Sequence, residues 1–339
     1  MKRPSIGDVA RMAGVSTATV SRALNAPETV VEETRAKVDA AVKALSYVRS
    51  ESAFNFKTQR AHAALVIAHD LGNIYYSELF RGVQRRAGEA GYSIIISPPG
   101  PEGAAGLIAA QLRSRKVDGV IVLSAHLASE AEERDLRTLF GGVVPLVRLS
   151  EDIGAFAGTQ VVIDNEKAGH MAGRHLIEMG HRRLGHILGP DDMSVTRVRR
   201  AGFARAIAEA GLSLDERHVF AGGFSAELGR EAARAFLALE HRPSAVFAAN
   251  DEAAMGFISA IARAGLSVPR DVSVIGFDDI ALSDAYVPPL TTIHQPRDRI
   301  GREAMDLLLR LIARDPGAAD AVTELPVHLV VRESVARHG

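Results

Sequence analysis

From about residue 63 the chain alternates short apolar, mostly β-branched runs with stretches of helical periodicity, and no other feature restricts the fold as much. ALVIAHD, YSIIISP, DGVIVLS, VVPLVRL, VVIDN, RLGHILGP, SAVFAAND and VSVIGFDD are the strand-like runs, most of them followed by a helical pattern. That alternation predicts a doubly wound parallel sheet with helices on both faces, an α/β fold. Eight or more such strands suggest two sheets rather than one. A chain of 339 residues is too long for one compact core and fits a small module plus a body of two lobes.

The small module is legible ahead of the body. Ile6, Val9, Ala10 and Ala13 recur at the spacing of one helical face, and Ser5 with Asp8 reads as a capping box. Gly14 allows a turn, Ser16 is a good N-cap, and a second helix runs to about Asn25 with Val20 and Leu24 inward. Thr17, Ala18, Ser21, Arg22 and Asn25 fall on its opposite, solvated face. A third periodic run in VVEETRAKVDAAVKALSY turns Val38, Ala41, Val42 and Leu45 inward. Three short helices with a tight turn between the first two have the geometry of a helix-turn-helix, whose second helix enters the DNA major groove. Small residues there let the backbone approach base edges, and Arg22 can reach guanine O6 and N7 as a fork.

Charge agrees with that reading. Residues 1–60 hold ten Lys or Arg against six Asp or Glu, a balance of +4, while the whole chain stands at -1. A cationic module on a mildly anionic body suits phosphate contact. The alternative on pattern alone is a helical subdomain that holds a protein partner.

The stretch SIGDVARMAGVSTATVSRALN closely resembles the N-terminal signature of the lactose-repressor (LacI/GalR) family of bacterial transcription regulators, and the resemblance continues almost to the C-terminus. It implies an N-terminal three-helix helix-turn-helix domain at 1–48, a hinge or linker at 49–62, and a ligand-binding and dimerisation domain of periplasmic-binding-protein type I at 63–339. The chain would cross between lobes near Gln160, Thr291 and Glu324. One lobe would then hold about 63–160 and 292–323, the other about 161–291 and 324–334. The resemblance places Ser16, Thr17, Ala18, Thr19, Ser21, Arg22 and Asn25 at double-stranded DNA, on a pseudo-palindromic operator held by a homodimer.

Ligands of open α/β sheets bind outside the carboxyl ends of the strands. Asp70, Ser124 and Asp164 end strand-like runs, as do Asn250 with Asp251 and Asp278 with Asp279. Carboxylates and amides clustered there can accept hydrogen bonds from vicinal hydroxyls, while Tyr75, Tyr76 and Phe224 offer flat faces and Arg199 a cationic fork. An Asp after a strand also commonly caps the next helix, and Asp251 is open to either role; Arg199 could pair on the surface and both tyrosines could be core. The resemblance favours ligand contact for Arg199, Phe224 and Asp278. HILGPDDMSVTRVRRAGF and PPLTTIHQPRDRIGREAM look most similar to the cytidine-responsive and purine repressors of the family. Met193 and Val195 stand where the purine repressor has polar contacts, and the cytidine type also has Met at the first. The implied effector is a nucleoside, ribose or related sugar.

The linker departs from the family pattern. Most relatives carry Pro-Asn, Ala-Arg and a leucine that wedges into the minor groove, whereas here the segment reads VRSESAFNFKTQRAH. Ala53 is kept, Phe54 replaces the arginine and Phe56 the leucine, and the proline is absent. Phe56 is either the wedge, since a phenylalanine can unstack a base step, or packed on the body.

Other classes are disfavoured. The chain has no cysteine, so disulfide and thiol chemistry are excluded. MKRPSIGDVA lacks an apolar export segment and no apolar run spans a bilayer, so a cytoplasmic protein without membrane partner is expected rather than a secreted solute-binding protein. Adjacent pairs such as Asp191 with Asp192 could serve glycoside hydrolysis only if they faced each other across a cleft, which neighbours rarely do. There is no GxSxG elbow, HExxH pair or phosphate loop. His181 and His186 read as structural. No enzyme activity, cofactor or metal is expected.

Overall fold

The computed structural model describes residues 4–47, 60–68, 72–98, 104–123, 144–150, 158–191 and 193–339. The chain divides into a unit of residues 1–60 and a unit of residues 61–339. The first unit contains α1 (Ile6–Ala13), α2 (Thr17–Asn25) and α3 (Glu32–Ala44). The Ser5 hydroxyl accepts from the Asp8 amide at 3.3 Å and the Asp8 carboxylate accepts from the Ser5 amide at 2.9 Å, which closes the expected capping box. Gly14 ends α1 at φ +66°, in the left-handed region that glycine enters without a Cβ penalty. Val9, Ala10, Ala13, Val20, Ala23, Val38 and Ala41 form the buried core, with Leu24, Val42 and Leu45 packed against it. The predicted inward set is therefore correct, with Ala23 added to the core and Val15, Val30 and Tyr47 packed against it.

Among the described residues, the second unit holds two six-stranded sheets. β1 (Ala63–Ala68), β2 (Ser93–Ser97), β3 (Gly119–Leu123), β4 (Leu146–Ser150), β5 (Gln160–Ile163) and β11 (Val322–Leu325) form the first, in the order β11-β5-β4-β3-β1-β2. The other is ordered β12-β10-β9-β8-β6-β7, from β6 (Leu184–Ile187), β7 (Val219–Phe220), β8 (Ala245–Ala248), β9 (Ser273–Asp278), β10 (Thr291–His294) and β12 (His328–Val330). Every pairing among these strands is parallel except β10 with β12.

Strands buried on both faces explain the near-continuous apolar runs. In β1, Ala64, Val66 and Ala68 face a core shared with Leu79, Val83 and Leu308, while Ala63, Leu65 and Ile67 face Ile108 and Val117 on the other side. Among the described residues, the helices over this sheet are α4 (Tyr75–Glu89), α5 (Ala104–Arg113) and α11 (Arg297–Ile312). The second sheet packs Phe247, Ile275 and Phe277 toward Phe203 on one face and Val246, Ala248 and Val274 toward Phe236 and Phe257 on the other. Its helices are α6 (Asn165–Glu178), α7 (Ser194–Glu209), α8 (Ala226–Leu237), α9 (Asp251–Arg263) and the short α10 (Leu282–Ala285).

The crossings between sheets fall a few residues later than expected. Gln160–Ile163 and Val322–Leu325 pair with each other in the first sheet, and Thr291–His294 pairs with β9 in the second. The chain thus leaves each lobe only after completing a strand, at 164, 295–296 and 326–327. Residues 161–163 belong to the first lobe, 292–294 to the second, and 324–325 to the first. The four strands β7, β10, β11 and β12 are too short or too polar to have shown a period.

Neighbouring helices on a sheet face pair through glycines. A Cβ at Gly169 would lie 2.2 Å from the Arg199 carbonyl oxygen and one at Gly202 1.9 Å from that of Glu166, so α6 and α7 touch backbone to backbone. Gly82 and Gly301 do the same for α4 and α11, as do Gly229 and Gly256 for α8 and α9. Gly169→Ala should force α6 and α7 apart and destabilise the body by about 1 to 3 kcal/mol, the usual cost of overpacking. Urea unfolding of the variant checks this, and an unchanged midpoint would mean that the helices separate freely.

Candidate functional site

On α2 the Ser16 hydroxyl accepts from the Thr19 amide at 3.1 Å and lies 2.9 Å from the Thr19 hydroxyl. Both side chains are thus engaged in the helix cap. Thr17, Ala18 and Arg22 are exposed and Ser21 is half-buried, so small groups and one guanidinium form the face turned away from the module's core. The side chain of Asn25 lies outside the described residues, as do Phe54, Phe56, Asp70 and Ser124.

In the body, a cleft of about 680 Å³ including its open mouth lies at the carboxyl ends of the strands. That size suits a small-molecule ligand. The first lobe contributes Tyr75, Tyr76 and Leu79 of α4, together with Leu123, Leu149, Val161, Val162 and Ile163 from strand ends. Met193, Arg199, Phe224, Asn250 and Asp278 face them from the second lobe. Six of the expected ligand residues are therefore gathered in one place: Tyr75, Tyr76, Met193, Arg199, Phe224 and Asp278. Asn165, Gln295 and Ile300 join them at or near segments that cross between lobes, and Asn73 joins them from just ahead of α4.

Arg199 is buried and held on three sides. Its Nε donates to Asn165 Oδ1 at 2.9 Å, its Nη1 donates to the Ala249 carbonyl at 2.6 Å, and its guanidinium carbon lies 3.5 Å from the Phe277 ring centroid. The Phe224 ring centroid lies 5.9 Å from the same carbon. This is a preorganised fork rather than a surface ion pair.

Asp278 ends β9 with φ +110° and is buried. Among the described residues its carboxylate receives one side-chain hydrogen bond, from Gln295 Nε2 at 2.6 Å. Burial is the main reason that its pKa is pushed up to about 7, with the neighbouring Arg199 guanidinium pulling the other way. A carboxylate so poorly supplied with donors can accept more from a ligand.

Asp251 is a correction. It is fully buried and does not line the cleft. Thr292 Oγ1 donates to its Oδ1 at 2.6 Å, while Ser283 Oγ at 2.7 Å and the Ile280 amide at 2.9 Å donate to Oδ2. The bare Cα of Gly276 leaves the room, since a Cβ there would stand 2.2 Å from Asp251 Oδ1. Nor does it cap α9: Asn250 does, accepting from the Ala253 amide at 2.9 Å, and its Nδ2 donates to the Phe224 carbonyl. Val195 is likewise buried in α7 and off the cleft wall. His181 and His186 are buried, bonded to Ser244, Ala336 and Phe247, and pushed down to about 4 by burial, which fits a structural role.

Asn165, Gln295 and Asn73 were missed because amides carry no distinctive spacing. Asn165 follows the helix cap Asp164, which accepts from the Lys167 amide, and Gln295 sits in the Gln-Pro step that leaves the second sheet. For Asn165 and Gln295 the position beside a crossing was the available signal, whereas Asn73, just ahead of α4 within the first lobe, offered none.

The raised value of Asp278 sets a pH dependence. In the unfolded chain an aspartate releases its proton near 3.8, and in the fold this one holds it to about 7. Between those values the folded state binds more protons, so stability falls as pH rises through that window and levels above it. The stability of Asp278→Asn relative to the native chain should therefore grow from pH 5 to pH 8, read as urea midpoints. A constant difference would mean that Asp278 is ionised throughout.

Comparison with known proteins agrees with this geometry. Residues 5–50 match the bacterial regulatory proteins of the lacI family and residues 173–335 a periplasmic binding protein-like domain. The chain is 36% identical to the HTH-type transcriptional repressor PurR of Photobacterium profundum over 338 residues, 98% of each chain. It is 38% identical to the ribose operon repressor of Escherichia coli over 310 residues, 91% of this chain and 92% of the other. The lac repressor dimer bound to operator and the anti-inducer ONPF is 28% identical at a TM-score of 0.86, covering 99% of this chain and all of that one. A LacI family regulator from Enterococcus faecium with bound ribose is 27% identical at 0.72, over 82% of this chain and all of its own. The chain belongs to the lacI family: it is a DNA-binding transcription repressor governed by a small molecule bound in its body, and not an enzyme.

Proposed function

We propose that two copies of the chain hold a pseudo-palindromic operator through α2, and that the effector in the cleft is D-ribose, a ribonucleoside or a related sugar. Convergence of Arg199, Asp278, Asn165, Asn250 and Gln295 on one space carries the second part. A fork and an under-bonded carboxylate suit adjacent ring hydroxyls, which donate and accept together. Phe224 and Tyr76 supply flat apolar surface, and Met193 gives a wall that cannot pair with the edge of a purine base. The named ribose repressor and the ribose-bound neighbour support this class. The structural neighbour that is a lac repressor dimer bound to operator supports the first part, since a two-fold dimer reads two half-sites with its recognition helices. Its place of action is then the cytoplasm, where the DNA is; among the described residues no helix is long and apolar enough to cross a membrane.

A genomic fragment selected on the protein supplies the operator. D-ribose, cytidine, adenosine and hypoxanthine are then titrated against the complex. D-ribose or a ribonucleoside should change operator affinity, and Arg199→Ala or Asp278→Asn should weaken that ligand by about 1 to 3 kcal/mol without loss of folding. A response to hypoxanthine alone, or an intact response in both variants, would contradict the assignment. On the DNA side, Arg22→Ala should cost ~1 to 3 kcal/mol on the selected site and much less on random DNA. Equal losses on both would reduce Arg22 to a phosphate contact.

A further inference from the structure

Arg297 is the first residue of α11 and lies where the chain has just left the second sheet. A cation is disfavoured there, because the helix dipole places its positive end at the N-terminus. It is nevertheless buried, with 2% of its side chain exposed. Something outside the helix must hold it.

Three groups do, one on the first lobe and two on the second. Glu78 of α4, in the first lobe, accepts from Arg297 Nη2 at 2.7 Å and from Nε at 3.1 Å. The backbone carbonyls of Asp278 and Asp279, in the second lobe, accept from Nη1 at 2.6 Å and from Nη2 at 2.8 Å. These two aspartates have φ +110° and +56°, consecutive left-handed residues without a glycine. Such backbone persists only where its surroundings over-determine it. The Asp279 carboxylate is fixed by His294 Nδ1 at 2.8 Å and Arg332 Nη2 at 2.7 Å, and Arg297 fixes the carbonyls. The turn aims the Asp278 carboxylate into the cleft, and α4 begins with Tyr75 and Tyr76, which line it from the other side.

We propose that Arg297 is a positioning residue for effector recognition: its fork holds the strained Asp278–Asp279 turn and ties it to Glu78, so that the ligand groups of both lobes are set against each other by one buried cation. Arg297 does not line the cleft, so it acts through Asp278 rather than on the ligand. A planar fork is required, because one group must serve a carboxylate and two carbonyls at once. The ligand part of this assignment rests on the effector reading above; the positioning part does not.

The test is amide exchange in the ligand-free protein, with the affinity for D-ribose measured beside it. Arg297→Lys keeps the charge and loses the fork. It should speed exchange in the peptide covering residues 276–284, where the Ile280 amide donates to Asp251, by about tenfold or more, the equivalent of one lost charged hydrogen bond. Glu78→Gln, altered on the opposite lobe, should speed the same peptide by roughly threefold, as expected for a weakened rather than lost contact. Residues 245–250 in the same lobe should keep their native rates in both variants. D-ribose affinity should fall about tenfold in Arg297→Lys, as a displaced Asp278 loses one hydrogen bond to the ligand. If Arg297→Lys does not fold, Glu78→Gln decides alone. Unchanged exchange in residues 276–284, or equal acceleration throughout the body, would overturn the assignment. If the native chain binds no D-ribose, the choice of ribose falls, and the exchange pattern still decides the role of Arg297.

Discussion

Keeping four ionisable side chains out of water organises the second lobe and its junction with the first. Arg199, Arg297, Asp251 and Asp278 are all buried there. A charge removed from water is tolerable only when hydrogen bonds and opposite charge replace its hydration. Asp251 has three donors, Arg297 has Glu78 and two carbonyls, and Arg199 has Asn165, Ala249 and the Phe277 face. Asp278 is the exception, with Gln295 alone as side-chain donor among the described residues. The first three groups are built into the fold, and the fourth is left for a ligand to complete.

The helices make each lobe resist deformation while leaving the crossings as the natural places for adjustment. Backbone contact at Gly169 with Gly202, and at Gly82 with Gly301, leaves no side-chain cushion between paired helices. The chain crosses at 164, 295–296 and 326–327, and Asn165, Gln295 and Arg297, which are site residues or hold them, lie beside the first two of these. A ligand that draws Arg199 and Asp278 toward Tyr75 and Tyr76 therefore acts where the two lobes are joined.

Much of this was readable in the sequence, for identifiable reasons. A helix-turn-helix is local, so the caps at Ser5 and Ser16 and the left-handed Gly14 each follow from a few adjacent residues. The alternation of apolar runs with helices pointed to two parallel sheets because strands buried on both faces must be apolar throughout. The cleft was found through strand ends, and Arg199, Phe224 and Asp278 through family resemblance. Asp251 was legible only as a carboxylate after a strand. Its true partners, Thr292, Ser283 and the Ile280 amide, lie far along the chain, and no local pattern brings them together. The same holds for Arg297 and Glu78, joined only by tertiary structure.

The central claim is that a ligand in this cleft and the operator on α2 act on one equilibrium. A ligand shifts DNA affinity only by binding the DNA-competent and incompetent arrangements unequally, and the coupling is reciprocal. The most direct measurement is the dissociation constant of D-ribose, or of the active ribonucleoside, for the free protein and for the protein saturated with operator. The two constants should differ by the same factor by which that ligand changes operator affinity. Equal constants, alongside a ligand-dependent change in operator binding, would contradict the account and place the regulatory ligand site elsewhere.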